Sequence, residues 1–223
     1  MTRLSPSRRH WLALGLAATA VSLVGCASTP PAQVSMDSPN AGPWRTSTVD
    51  GEPDVMLEGH DAVAYFTRNE AVRGSAALSL KHGGVTWRFA TAENRAEFQR
   101  QPLKYAPQFG GFCSNGINYA IPWGGGGAPE SWRVYRGRLY VFGGRSARDH
   151  FEIDTELNLR RAHHYWNTEI AGSNAVLTRI QRLVLRVPHY RSDAELKAEW
   201  EARRQAGTLP VMPGRPQVVP AAP

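Results

Sequence analysis

The chain has 223 residues, 42% of them hydrophobic, enough for one domain of ordinary size with extensions. Its 26 basic and 19 acidic residues give a formal charge of +7. Arg3, Arg8 and Arg9 lie within the first 25 residues, where there is no acid, so the rest carries only +4. An excess that small, with no recognisable nucleic-acid module, argues against a nucleic-acid partner. There is no internal repeat.

After the basic start, Trp11 to Val24 form an apolar run interrupted only by small residues. As a helix it would span about 21 Å, short of the roughly 30 Å hydrocarbon core of a bilayer. A basic start, a short apolar stretch and a small-residue end describe a secretory signal. Leu23-Val24-Gly25-Cys26 closes it and resembles the lipobox of bacterial lipoproteins. That resemblance implies cleavage after residue 25 and acylation of Cys26. Ser7-Arg8-Arg9-His10-Trp11-Leu12 also resembles a twin-arginine export signal, though an ordinary secretory signal accommodates two adjacent arginines as well. Ala27 follows the cysteine where Asp would favour the inner membrane. The expected location is therefore the periplasmic face of the outer membrane of a Gram-negative cell, with the lipid as membrane anchor. Several acyl chains on one cysteine make such anchoring stable.

Residues 26–49, rich in Pro, Ser, Thr and Asn, read as a disordered tether. A core domain is expected over 50–168. Ala62–Phe66 is a short apolar run suited to a buried strand. Ala77–His82 and Val85–Ala90 flank Gly83-Gly84 and read as a hairpin. Thr91 can cap a helix that Pro102 closes. Pro122 to Pro129, with glycines at 124–127, reads as a loop; no Gly-Lys-Ser/Thr follows, so it is no phosphate loop. Trp132–Tyr135 and Leu139–Phe142 form a second hairpin around Arg136-Gly137-Arg138. Arg148–Ile153 and Leu157–Trp166 read as helical.

A helical extension is expected over 169–206. Val176, Ile180, Leu183, Val184 and Val187 recur at helical spacing, with Pro188 ending the helix. Arg179, Arg182 and Arg186 form a basic stripe beside the apolar one, a layout suited to anionic headgroups. The expected arrangement is the plainer one, with the apolar face packed on the domain and the arginines in water. Ser192 caps a last helix over Asp193–Ala206, and 207–223 is a proline-rich disordered tail. The whole predicts an α+β fold: small antiparallel hairpins packed with helices, plus C-terminal helices.

With Cys26 committed to lipid, Cys113 has no intramolecular partner. It can be a buried small hydrophobe, a reactive thiol, a metal ligand or an intermolecular bridge. Glycines at 110, 111 and 116 allow a sharp turn around it. A thiolate there could hold a soft ion such as copper(I) together with a histidine, and His60, beside Asp61, is the candidate second ligand. His163 and His164 project about 100° apart on a helix and are expected to be surface histidines. His150 cannot be placed from sequence. A serine nucleophile would need a Gly-x-Ser-x-Gly elbow, and none is present. Asp61, Glu93 and Glu97 read as structural carboxylates.

Glu58-Gly59-His60-Asp61-Ala62-Val63-Ala64-Tyr65-Phe66 resembles the opening of a YHS domain of the exported bacterial type. Val85 to Arg95 with Phe98, Pro102 and Tyr105 is similar to its middle. Gln108 to Cys113, Pro129 to Val134, Gly137, Leu139-Tyr140 and Trp166 are similar to the remainder. The resemblance covers about 54–168 and implies a small α+β domain, in some branches metal-binding. Ala64 and Ala90 stand where such branches carry cysteines, so a metal reading here rests on Cys113 and His60. The leading expectation is a non-enzymatic binding module for a metal ion or small ligand. The competing one is an interaction protein of the cell envelope, meeting an envelope partner through its C-terminal helices.

Overall fold

The computed structural model of the chain describes residues 43–121 and 127–210. The expected signal segment, Cys26, the expected tether up to residue 42, residues 122–126 of the glycine-rich stretch and the expected tail from 211 lie outside the described residues. Within them the fold is α+β, as the pattern of elements predicts.

A four-stranded sheet has the order β1-β2-β4-β3, and a separate hairpin is formed by β5 and β6. The strands are β1 (Thr46–Val49), β2 (Glu52–Met56), β3 (Ser75–His82), β4 (Val85–Phe89), β5 (Ala128–Tyr135) and β6 (Arg138–Phe142). Both hairpins legible in the sequence form, in antiparallel register Lys81↔Thr86 and Val134↔Leu139. The fold departs from hairpins alone in one place: β2 pairs with β4 in parallel. Arg88 of β4 braces that junction. Its buried guanidinium reaches Asp50 at 2.6 Å, Glu52 at 3.0 Å and the Val49 carbonyl at 3.0 Å. The strand β1 lies inside the segment expected to be tether. Its polar sequence hides a pairing role, since Val49 is buried and β1 hydrogen-bonds along β2.

Ala62–Phe66 is not a strand. A short helix α1 (Ala64–Thr67) forms there instead. The cause is Asp61, whose buried carboxylate accepts from the backbone N–H of Val63 (2.9 Å) and Ala64 (3.3 Å), offering the helical turn a cap. The same carboxylate accepts from the Ala90 N–H at 2.8 Å and the Asn94 amide at 2.7 Å. Asp61 thus fixes α1 against the end of β4 and the start of α2 (Ala92–Arg100). Thr91 caps α2 as expected, accepting from the Asn94 N–H at 3.1 Å. Pro102 opens a one-turn helix α3 (Pro102–Tyr105).

The helical half comprises α4 (Ser114–Asn118), α5 (Arg145–Phe151), α6 (Thr155–Tyr165), α7 (Ala175–Val184) and α8 (Asp193–Gln205). A π-helical turn, Trp166–Ile170, follows α6. Two hydrophobic clusters form the core. One gathers Met56, Tyr65, Trp87, Phe89, Phe98 and Tyr105 beside the sheet. The other gathers Phe109, Ile117, Phe151, Leu159 and Trp166 among the helices. Strand β6 is their common wall: Leu139 and Val141 enter the first cluster, Tyr140 and Phe142 the second. Successive side chains of a strand point to opposite faces, so four apolar residues in a row are what a strand covered on both faces requires.

Candidate functional site

The structure places Cys113 and His60 in different surroundings. Cys113 precedes α4 and belongs to the helical cluster, with Phe109, Phe112, Ile117 and Tyr140 among its members. Burial pushes its thiol pKa up, while backbone amides of Gly116, Gly143 and Asn115 act the other way. The turn that delivers it depends on Gly110, where φ is +59° and an added Cβ would fall 1.9 Å from the Pro43 carbonyl oxygen. His60 lies at the sheet side. Its Nδ1–H donates to the Leu57 carbonyl at 3.0 Å, and Nε2 faces the exposed Glu130 at 3.7 Å. Among the described residues no group of three or more His, Cys, Asp or Glu side chains could hold a metal ion. Gly127, the described end of the glycine run, donates its N–H to the Gly111 carbonyl at 3.1 Å.

Two further histidines are structural, and one of them corrects the sequence reading. His163 is fully buried rather than on the surface. Its Nε2 is 3.1 Å from the Tyr140 hydroxyl, and its ring meets Phe109 edge-on at 4.9 Å. Both neighbours come from elements remote in sequence, so helical spacing alone could not reveal them. His150 is buried beside Asp193 at 3.4 Å.

The departure that bears most on function is α7, which sits opposite to its expected orientation. Asn174 caps it, its side chain accepting from the N–H groups of Val176 and Leu177. At 100° per residue, Leu183, Val176, Ile180, Val184 and Leu177 share an arc of about 120°. All five are exposed: Val176 59%, Leu177 64%, Ile180 54%, Leu183 43% and Val184 76%. Leu185, directly after the helix, is exposed too. Thr178 and Arg182, on the other side of the helix, are the buried residues.

The inverted seating has a local cause. Glu169 in the π-helical turn offers its carboxylate to Arg182, whose Nε lies 3.2 Å from Oε2, and its carbonyl to the Thr178 hydroxyl at 3.4 Å. The Arg182 guanidinium also lies over the Tyr165 ring, 5.7 Å from its centroid. A half-buried carboxylate and an aromatic face are better served by Arg182 than by a leucine, since a buried charge without a partner is costly. Val187, alone of the five periodic positions named from sequence, reaches the helical cluster, and it does so from beyond the helix end.

Along the chain from residue 170 to 192 every charged residue is basic. Between Glu169 and Asp193 there is no acidic residue, and Arg179, Arg182, Arg186 and Arg191 fall in that interval. Arg186 is exposed and lies over the Tyr190 ring at 4.4 Å. Contiguous exposed apolar residues rimmed by polar ones mark an interaction surface. Among the described residues no helix is long and apolar enough to cross a membrane.

No protein-family model, curated protein or solved structure matches this chain.

Proposed function

We propose that this chain is a non-enzymatic module of the bacterial cell envelope, anchored through acyl groups on Cys26 and laid on an anionic lipid surface by α7. The observation that carries the reading is the outward apolar face of α7, with Arg179 and Arg186 at its rim. An amphipathic helix of this kind sinks its apolar side to the acyl boundary while its cations meet headgroups. Each exposed aliphatic side chain so covered contributes roughly 1 kcal/mol, and each arginine near an anionic surface about as much again. The YHS-like domain then acts as the body that α7 orients toward the membrane.

This reading takes the alternative offered by the sequence, an interaction role for the C-terminal helices, and gives it a surface. The copper-type reading of Cys113 and His60 would need further ligands, and no described group supplies three.

Sedimentation with vesicles tests the proposal. The chain beginning at Ala27 contains every described residue and lacks the acylated cysteine. It should sediment with vesicles containing phosphatidylglycerol, and less so as salt rises. Ile180→Glu should abolish that binding while leaving the melting temperature unchanged. Failure to bind anionic vesicles, or undiminished binding by Ile180→Glu, would overturn it. Self-association abolished by Ile180→Glu, without vesicle binding, would assign the face to a second copy.

A further inference from the structure

A second surface, separate from the outward face of α7, carries its own chemistry. A cleft of about 370 Å³ opens between α6, α8 and the segment after Val187. That volume falls within the roughly 300–1,000 Å³ of small-molecule sites. One wall is a face of α6, where Leu157, Asn158 and Arg161 recur at helical spacing. Leu196, Glu199 and Arg203 of α8 form the opposite wall at spacings of three and four. Tyr119, His189 and Tyr190 close the end.

The cleft's charges do not balance. Three arginines, at 161, 191 and 203, face two carboxylates, and both carboxylates are engaged. Asp154 caps α6 through the Leu157 N–H at 3.1 Å. Glu199 is ion-paired with Arg191 and, at 2.7 Å, with Arg203. Arg203 also donates to the Ile153 carbonyl at 3.2 Å. Arg161 forms no ion pair among the described residues, and the Asp154 charge acts on it only from a distance. The arginine is partly buried, and its hydrogen bond within the fold is a long one, 3.4 Å to the Asn158 amide oxygen. Burial pulls its pKa downward, the sign of a cation held where water solvates it poorly. A guanidinium so placed presents a planar fork of donors suited to a carboxylate.

The end wall is aromatic and neutral. His189 Nε2–H donates to the Asn118 carbonyl at 2.9 Å. Burial lowers the His189 pKa to about 4, so the ring is uncharged at neutral pH. It stacks on Tyr119 at 5.6 Å, and Tyr190 meets Tyr119 edge-on at 5.7 Å. A ligand satisfying both features carries one negative charge at one end and a flat apolar body at the other.

We propose that this cleft binds a small organic monocarboxylate, with its carboxylate on the Arg161 guanidinium and its apolar body against Tyr119, His189 and Tyr190. The site is distinct from the α7 face, so it stands whether or not the chain lies on lipid. A phosphate or other compact oxyanion could use Arg161 but would leave the aromatic end uncovered.

Titration followed by NMR tests it, with sodium benzoate, benzamide and sodium phosphate as probes at constant ionic strength. Benzoate should produce saturable shifts at Tyr119, His189 and Tyr190, and benzamide should bind at least tenfold more weakly. Arg161→Gln should weaken benzoate at least tenfold while keeping or raising the melting temperature, because no ion pair is lost. Tyr190→Ala, at a half-exposed position, should weaken it as well. Equal binding of benzoate and benzamide, unchanged benzoate binding in Arg161→Gln or Tyr190→Ala, or phosphate binding as tight as benzoate would overturn the proposal.

Discussion

Glu169 and Arg182 form the ion pair that decides which side of α7 faces the domain. Arg182 is almost wholly buried, and its Nε lies 3.2 Å from Glu169 Oε2. Removing the carboxylate leaves a cation under the helix without its partner. Glu169→Ala is therefore expected to destabilise the seating of α7 by on the order of 3 kcal/mol. Hydrogen exchange would show it, with amides from residue 179 to 184 losing protection well before those of β6.

The apolar arc of α7 should behave as surface, not core. Leu177→Ser and Ile180→Ser are expected to change stability by no more than about 0.5 kcal/mol, measured by urea unfolding. Were the face packed, each would remove a buried aliphatic side chain and cost about 2 kcal/mol or more. The same pair of substitutions should raise solubility by removing an exposed apolar patch.

Acid should weaken the fold in two steps. His189 is held neutral in the folded state, with a pKa of about 4, whereas the unfolded chain takes up its proton near 6.5. Stability is thus full above about pH 6.5 and declines as the pH falls toward 4, by roughly 1–3 kcal/mol. His150, whose pKa burial also lowers, acts in the same direction. Below that, Glu52 and Glu199 lose their support. Hydrogen bonds from Arg88 and Arg191 respectively hold their pKa values below the ordinary range. Their contribution is present above the unfolded carboxylate range and is lost as the pH falls through their lowered values. Urea unfolding between pH 7 and 4 should show the first decline shrink in His189→Gln.

Gly110→Ala should be among the most damaging single-methyl additions in the chain. The position combines φ of +59° with backbone only 1.9 Å from the added carbon. The Pro43 segment, whose neighbour Arg45 donates to the Gly110 carbonyl at 2.8 Å, would have to move. A loss on the order of 3 kcal/mol is expected from strain and overpacking together, read as a fall in the urea midpoint. Gly137→Ala, with open space around its Cβ position, should cost less through its φ of +70° alone.

The Cys113 thiol should be silent in the folded protein. Burial raises its pKa and leaves little thiolate to react. Labelling with a thiol reagent should follow unfolding, rising with urea in step with the loss of tertiary signal. Rapid labelling without denaturant would show a thiol far more accessible than its place among Phe109, Phe112 and Ile117 allows.

Local chemistry made much of this fold legible. The Gly83-Gly84 and Arg136-Gly137 turns set their hairpins, because the required φ values are positive at those residues. Thr91, Asn174 and Ser192 start helices through side-chain oxygens that reach backbone amides two or three residues on. Such signals act within a few residues and survive translation into sequence patterns. Ala62–Phe66 was illegible because a five-residue apolar run suits a strand or a helix equally, and Asp61 decided between them only by finding Ala90 and Asn94 across the fold. The buried role of His163 depended on Tyr140 and Phe109 in the same way.

The sequence by itself determined that α7 is amphipathic, since the spacing of Val176, Ile180, Leu183 and Val184 is a property of the helix alone. It could not determine which face the domain would take. Hydrophobic burial favours the apolar face inward, but that preference is non-directional. The carboxylate of Glu169 and the ring of Tyr165 offered a directional seat to Arg182 instead. The cleft around Arg161 arose likewise. Three arginines and two carboxylates meet there because the fold brings α6, α8 and the segment after Val187 together, and Asp154 caps α6 while Glu199 pairs with Arg191 and Arg203. Pairing in three dimensions left one surface apolar and one cation, Arg161, with a single long hydrogen bond, and the functional proposals rest on those two features.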